Sequence, residues 1–361
     1  MGAPSINIVF KELATSTIER GDRGIVVLLL KDTVPSTNPI VMSTVSDIPT
    51  SLSNENKEQI TLAFMGYVNP PKQVIAYVIA EDTTDYTEAQ HYLETIKWDY
   101  FAFPEIEDTD VTLFAAWIKG LRDNMDKKVK AILPNCPSDH EGVINYVNSS
   151  NKEGDKTYTA KEYCARVAGL IAGTPLTISA TYAPLGELDD CDHLTTTEMD
   201  TAVDAGKFIL MNDGEKVKVV RAVNSLVTTT TDKGKKFKKI KIVDIMDLMH
   251  GDIKKTISDK YIGKVTNDYD HKVLLMSAIG GYFEQLELSG LLAKGSSSVY
   301  IDLEAQKAYL KAQGYRTTDG RGVDGMTTQE IKEANTDDKV FMGAATTILD
   351  SMEDVSLNIA A

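Results

Sequence analysis

The sequence predicts an α/β fold: a doubly wound, mostly parallel sheet in the first half, then a second α/β domain. Two observations predict it. From Arg23 to Leu133, continuous apolar runs alternate with segments whose apolar residues recur at helical spacing, the signature of strands buried on both faces between covering helices. Both chain ends also alternate apolar and polar residues, as half-buried strands do.

The elements follow in order. Ile6, Ile8 and Phe10 alternate with Asn7 and Val9 near the start. Gly24 to Leu30 is an unbroken apolar strand. A helix follows Ser53-Asn54, with Ile60, Phe64 and Tyr67 on one face. Gln73 to Ala80 is a second buried strand. Asp85-Tyr86-Thr87-Glu88 predicts a helix start with a reciprocal carboxylate, and Ala89, Leu93 and Ile96 its inward stripe. Trp98 to Phe103 is a third strand, stopped by Pro104. Val111, Phe114, Ile118, Leu121 and Met125 keep one helical face, and Lys130 to Leu133 is a fourth strand closed by Pro134. The order β-α-β-α-β-α-β implies parallel pairing with helices on both faces. Thr159 to Glu162 forms a capping box for a helix that buries Tyr163, Val167, Leu170 and Ile171 and ends at Gly173-Thr174-Pro175.

After Tyr182 the texture changes. Asp189 to His193 is a polar loop, and a short helix starts near Thr197. Lys207–Met211 and Lys216–Val227 form a strand pair around the turn Asn212-Asp213-Gly214. Thr228 to Gly234 is a loop. A long helical region from Lys241 to about Leu291 breaks near Asn267-Asp268. Lys339 to Ala361 reads as strand, opened by Val340-Phe341-Met342 and ending in Val355, Leu357 and Ile359 alternating with Ser356 and Asn358. Each end either pairs within its own domain or adds to a sheet of a neighbouring molecule, since an unpaired alternating edge templates another chain.

Composition narrows the function classes. The 361 residues are 42% hydrophobic and 25% charged, ordinary globular values that exclude disorder. Net charge is −15, from 38 basic and 53 acidic residues, which disfavours nucleic acid and anionic membrane as partners. Cys136, Cys164 and Cys191 have no Cys-x-x-Cys spacing and fit a reducing compartment without a disulfide framework. No secretory signal is expected, Ile6 stands where myristoylation wants Ser or Thr, and the run Ile25 to Leu30 is too short to span a bilayer.

Candidate chemistry is sparse. The expected carboxyl ends of the parallel strands carry Lys31-Asp32, Glu81-Asp82, Glu105 and Asn135, where ligands of such sheets sit. These carboxylates would serve as acid and base in an α/β enzyme, or as helix caps. Gly320-Arg321-Gly322-Val323-Asp324-Gly325 matches the dinucleotide fingerprint in letters, but it follows a helical stretch and reads as a turn into the helix capped by Thr327 and Glu330. Asp189, Asp190, Asp192 and His193 match neither zinc nor EF-hand spacing. The histidines are scattered. Lys233 to Lys241 is a dense basic run with Phe237 as its lone aromatic, a solvated hairpin or a contact for an acidic protein surface. No catalytic, cofactor or metal constellation is expected, which leaves a self-assembling protein or an enzyme of the strand-end type.

Four stretches carry a family resemblance. Gly21-Asp22-Arg23-Gly24 precedes the first strand. Ala168-Gly169-Leu170-Ile171-Ala172-Gly173-Thr174-Pro175 is followed by Ser179-Ala180-Thr181-Tyr182. Asp337-Asp338-Lys339-Val340-Phe341 leads to Leu349-Asp350-Ser351-Met352-Glu353-Asp354, and the alternating last strand closes the set. In their order along nearly the whole chain, these resemble the contractile tail sheath proteins of bacteriophages and of phage-tail-like (R-type) bacteriocins. The resemblance implies a structural subunit, stacked as hexameric rings around an inner tube, with baseplate and tail-terminator proteins as further partners and no cofactor. It implies a subtilisin-like core without protease activity, assembly in the bacterial host cytoplasm, and a place in the tail of an extracellular particle. The domains expected are an N-terminal strand extension (1–20), an α/β sheath domain (21–185), a C-terminal α/β domain (186–340) and a C-terminal strand extension (341–361). Expected inter-subunit strand residues are Ile6, Ile8 and Phe10 at one end and Val355, Leu357 and Ile359 at the other. Lys235, Lys236, Lys238, Lys239, Lys254 and Lys255 are the expected contacts to the tube or a neighbouring subunit. Another self-assembling shell protein would share the same ends.

Overall fold

A computed structural model of the chain describes residues 17–21 and 23–359. They form two compact units, one built on 21–249 with the segment from 350 onward, the other on 250–349 with 17–20.

The first unit contains β1 (Ile25–Lys31), β2 (Ile40–Met42), α1 (Asn54–Phe64), β3 (Gln73–Ile79), α2 (Thr87–Thr95), β4 (Tyr100–Ala102), α3 (Val111–Asp123), β5 (Lys130–Pro134) and β6 (Val143–Tyr146). It continues with β7 (Asn151–Glu153), β8 (Lys156–Tyr158), α4 (Ala160–Ala172), β9 (Asp190–Cys191), α5 (Thr196–Asp204), β10 (Lys207–Phe208), β11 (Leu210–Asn212), β12 (Val217–Val219) and the first part of α6 (Ile240–Lys260). Seven strands make the main sheet in the order β10-β6-β5-β4-β1-β3-β2, parallel throughout except for the β2 edge. The unbroken apolar run of β1 hides a period of two. Val26, Leu28 and Leu30 pack with Ile60, Ala63 and Leu170 of α1 and α4, whereas Ile25, Val27 and Leu29 pack with Leu93, Phe114 and Ile118 of α2 and α3. Each residue therefore faces one of two cores, and the helices cover both faces.

Gly169 of α4 and Gly173 at its C-terminal cap permit a close approach to α1 and the loop that follows α1. A Cβ on Gly169 would lie 1.9 Å from the carbonyl oxygen of Ala63, and one on Gly173 would lie 2.0 Å from that of Asn69. At the opposite end of the sheet, charges that open the strands converge on α6. The Asp244 carboxylate accepts from Tyr100 Oη at 2.6 Å, lies 2.9 Å from Lys130 Nζ and pairs with Arg23. One turn on, Asp247 receives a bidentate pair of bonds from Arg122 at 2.9 and 3.0 Å and also pairs with Lys130.

The second unit contains the rest of α6, α7 (Tyr269–Leu288), β13 (Ser298–Ile301), α8 (Leu303–Ala312), α9 (Thr328–Glu333) and β14 (Met342–Ala345). Its small core gathers Leu310, Val323, Ile331 and Ala334, and Tyr282 donates to the buried Asp252 at 2.6 Å. Asp268, Asp302 and Thr327 cap α7, α8 and α9. β13 and β14 pair only with each other among the described residues, antiparallel, from Ser298 with Ala345 to Ile301 with Met342.

The mixed α/β fold with a parallel-sheet core is as expected, and several elements differ in detail. The Asp85–Glu88 capping box does not form. Helix α2 starts after Tyr86, and Asp85 accepts from the Thr87 amide in a local turn instead. Met125 lies beyond α3 and is exposed. The segment 216–227 keeps strand geometry only over β12. Of the expected terminal strand, Lys339 to Ala361, the described residues form a strand only over β14, which pairs within its own chain, and residues 351–359 are irregular. Ile6, Ile8 and Phe10 lie outside the described residues.

Candidate functional site

The chain reverses direction across the sheet between β1 and β4, so Lys31, Asp32 and Glu105 meet at the usual ligand crevice of such sheets. The chemistry there is that of a helix cap. Asp32 is buried and accepts from the Ser53 amide at 2.8 Å, Asn56 Nδ2 at 3.0 Å and the Thr33 amide at 2.7 Å. Burial pushes its carboxyl up, but these bonds outweigh it and hold the group below the ordinary range. Glu105 is half-buried and raised mainly by burial, with Lys31 opposing. Glu81 and Asp82 are exposed. Asn135 is at φ 49° and donates its amide to Tyr146 O.

The polar loop after Leu188 is a staple. Asp189 accepts from the Gly154 amide at 2.7 Å, Asp190 from Asn212 Nδ2 at 3.2 Å, and Asp192 from the Ser149 amide at 2.6 Å. Each carboxylate is thereby committed to a different segment. The glycines 320–325 form the turn into α9, where Arg321 reaches Glu330 at 2.6 Å. A cluster the sequence reading did not single out is Asp123, His140 and Glu141, whose ligand atoms lie within 4.8 Å of one another. Its protons and charges are already placed. The Gly142 amide donates to His140 Nδ1 at 3.0 Å, leaving Nε2 to donate towards Asp123 at 3.2 Å, and Lys233 holds Glu141 at 3.0 Å.

The basic run and the chain end meet in the structure. Lys235 and Lys236 are exposed on a 3-10 turn, Lys235–Lys238, with Lys238 half-buried. Lys239 is paired with carboxylates of the terminal segment, Asp350 at 2.6 Å and Glu353 at 2.9 Å, so its charge is spent within the chain. Lys254 and Lys255 lie exposed on α6. Beyond the segment 350–354, Val355, Leu357 and Ile359 are 82%, 76% and 80% exposed. In the second unit, a groove of about 340 Å³ runs between α7 and β13, lined by Val273, Met276, Gly280, Glu284 and Val299. The described structure thus combines an apolar alternating end without cover and a two-stranded sheet with open edges. No helix among the described residues is long and apolar enough to cross a membrane.

The phage tail sheath protein central domain matches residues 80–225, and the phage tail sheath C-terminal domain matches 232–361. The tail sheath protein of Clostridium phage phiCD119 is 38% identical over 99% of both chains. The Bacillus subtilis phage-like element PBSX protein XkdK is 33% identical over 42% of this chain and 33% of its own. The fold is similar to the sheath tail protein of Desulfitobacterium hafniense (TM-score 0.69, 20% identical, covering 82% of this chain and 94% of that one). It is also similar to the helical sheath of the anti-feeding prophage in its contracted state (TM-score 0.70, 13% identical, covering 100% and 99%).

Proposed function

Because the chain belongs to the phage tail sheath family, we propose that it polymerises as stacked hexameric rings around an inner tube and contracts to drive that tube through a target envelope. The observation that carries this is the exposed alternation of Val355, Leu357 and Ile359 at the end of a chain whose β13–β14 sheet has open edges. A strand added to such an edge gains main-chain hydrogen bonds and buries alternate side chains. The tail of one subunit adds to the β13–β14 sheet of the next, beside the groove under α7. Ile6, Ile8 and Phe10 supply a second donated strand. Lys235, Lys236, Lys238, Lys254 and Lys255 face acidic surfaces of the tube or of a neighbouring subunit. The assembled rod engages a baseplate at one end and a terminator at the other, is built in the host cytoplasm, and needs no nucleotide.

The test is electron microscopy of the full chain produced with its tube protein. Hollow rods with six-fold rings are the expected product. Planar or closed lattices would instead indicate a different shell protein, and a protein that stays monomeric under all conditions while turning over a small molecule would overturn the assignment.

A further inference from the structure

Two of the stretches that carry the family resemblance, 179–182 and 349–354, lie far apart in the chain and meet in the fold. Glu353, only 6% exposed at its side chain, accepts from Thr181 Oγ1 at 2.8 Å and from Lys239 Nζ at 2.9 Å. Thr181 Oγ1 in turn accepts from the Ala222 amide at 3.0 Å, a contact that does not involve the tail. Asp350 lies 2.6 Å from Lys239 Nζ, and Asp354 accepts from Arg221 at 2.6 Å. Lys241 donates to Ser351 Oγ at 3.0 Å and to Thr177 O at 3.2 Å. Met352 points the other way and is 95% exposed. Four of five consecutive side chains are therefore engaged, by three cations and a hydroxyl. Isolated surface pairs contribute little, but a network with a buried carboxylate at its centre is costly to open, because opening leaves that charge without partners.

Resting on the sheath assignment above, we propose that residues 350–354 anchor the base of the tail to its own subunit, so that the exchanged strand begins at Val355. The consequence is one of reach. With β14 and Leu349 already held in the chain, residues 350–361 without the anchor could extend roughly 40 Å, whereas residues 355–361 span at most roughly 23 Å at about 3.3 Å per residue. The anchor also removes Lys239 from any role at the tube.

Nitroxide mobility in the full-length subunit tests this. Cys136, Cys164 and Cys191 are buried, so labels attached after Met352→Cys or Leu357→Cys are selective. In the free subunit the label at 352 should tumble with the protein and the label at 357 about tenfold faster, as expected of an untethered segment against overall rotation. Glu353→Lys should speed the 352 label about tenfold towards the 357 value, and Glu353→Gln, which keeps the Thr181 contact and the shape, should move it part of the way. A 352 label as mobile as the 357 label in the otherwise unchanged subunit would overturn the anchor, as would one unmoved by both substitutions. In rods the 357 label should become slow. If it stays fast there while the 352 label behaves as above, strand donation fails and the anchor stands.

Discussion

At Asp247 the protein holds a carboxylate among partners that set its acid response. Burial pushes its carboxyl up, but Lys130 and Arg122 outweigh this and hold it below the ordinary value. A depressed folded value means stability that is present above the unfolded carboxyl value, about 4, and lost as pH falls through the lower folded one. Thermal melts should therefore show the melting temperature falling below about pH 4, with a shallower fall in Asp247→Asn. Asp247→Ala removes the bidentate partner of the buried Arg122, while Lys130 keeps Asp244, and should cost about 3–5 kcal/mol at neutral pH, read by denaturant unfolding. Gly169 makes a steric prediction. Its Cβ has nowhere to go beside the Ala63 carbonyl, so Gly169→Ala should destabilise by about 1–3 kcal/mol or more, checked by the same unfolding curves. Gly169 was visible in the sequence as part of a motif, but its reason was not, because Ala63 lies on another helix. Glu353 was hidden more deeply: its partners Thr181 and Lys239 stand 172 and 114 positions away. A local reading finds caps and stripes, and cannot find a long-range ion pair.

Elements were legible in proportion to their length and apolar content. β1 and β3 declare themselves because seven mostly apolar residues in a row suit a strand covered on both faces. The capping boxes of α4 and α9 formed where Thr and Glu stand three apart. β7 and β8 escaped, being three residues each and carrying Lys and Glu. The terminal alternation was legible as a pattern and ambiguous as a partner, since period two says which face is apolar and not what covers it. The exposure of Val355, Leu357 and Ile359 makes the next outcome specific. Deleting Ser356–Ala361, or replacing the three side chains by Asp, should leave the melting temperature of the free subunit unchanged and abolish rods. A lowered melting temperature would place the strand's sheet within its own chain. The lysine turn allows a second measurement at this scale. Charge reversal at Lys235, Lys236 and Lys238, leaving Lys239 to its anchor, should weaken rod assembly most at low salt, where exposed charges are least screened. Assembly that is equal at all salt concentrations would make the turn a solvated one.

For the whole molecule, contraction needs a store of free energy and a connection that survives its release. The strand donation proposed above would supply the connection: each subunit would keep the strand that begins at Val355 in a neighbour's sheet while the bodies rotate and slide. The store is the assembled state itself, if it forms on the tube and is trapped above a more stable arrangement by a barrier. A trapped state has a recognisable signature. Rods assembled on the tube and warmed, or exposed to mild denaturant, should convert once to shorter and wider tubes with no nucleotide present, release heat in a single calorimetric event, and stay converted on cooling. Subunit connectivity should persist throughout, so no free subunit should appear during conversion by size-exclusion chromatography. Conversion that reverses on cooling would mean the extended form is the stable one at low temperature. Conversion that proceeds through dissociated subunits would mean the strands do not hold the sheath together as it moves. Either result would remove the mechanical role proposed for the chain end.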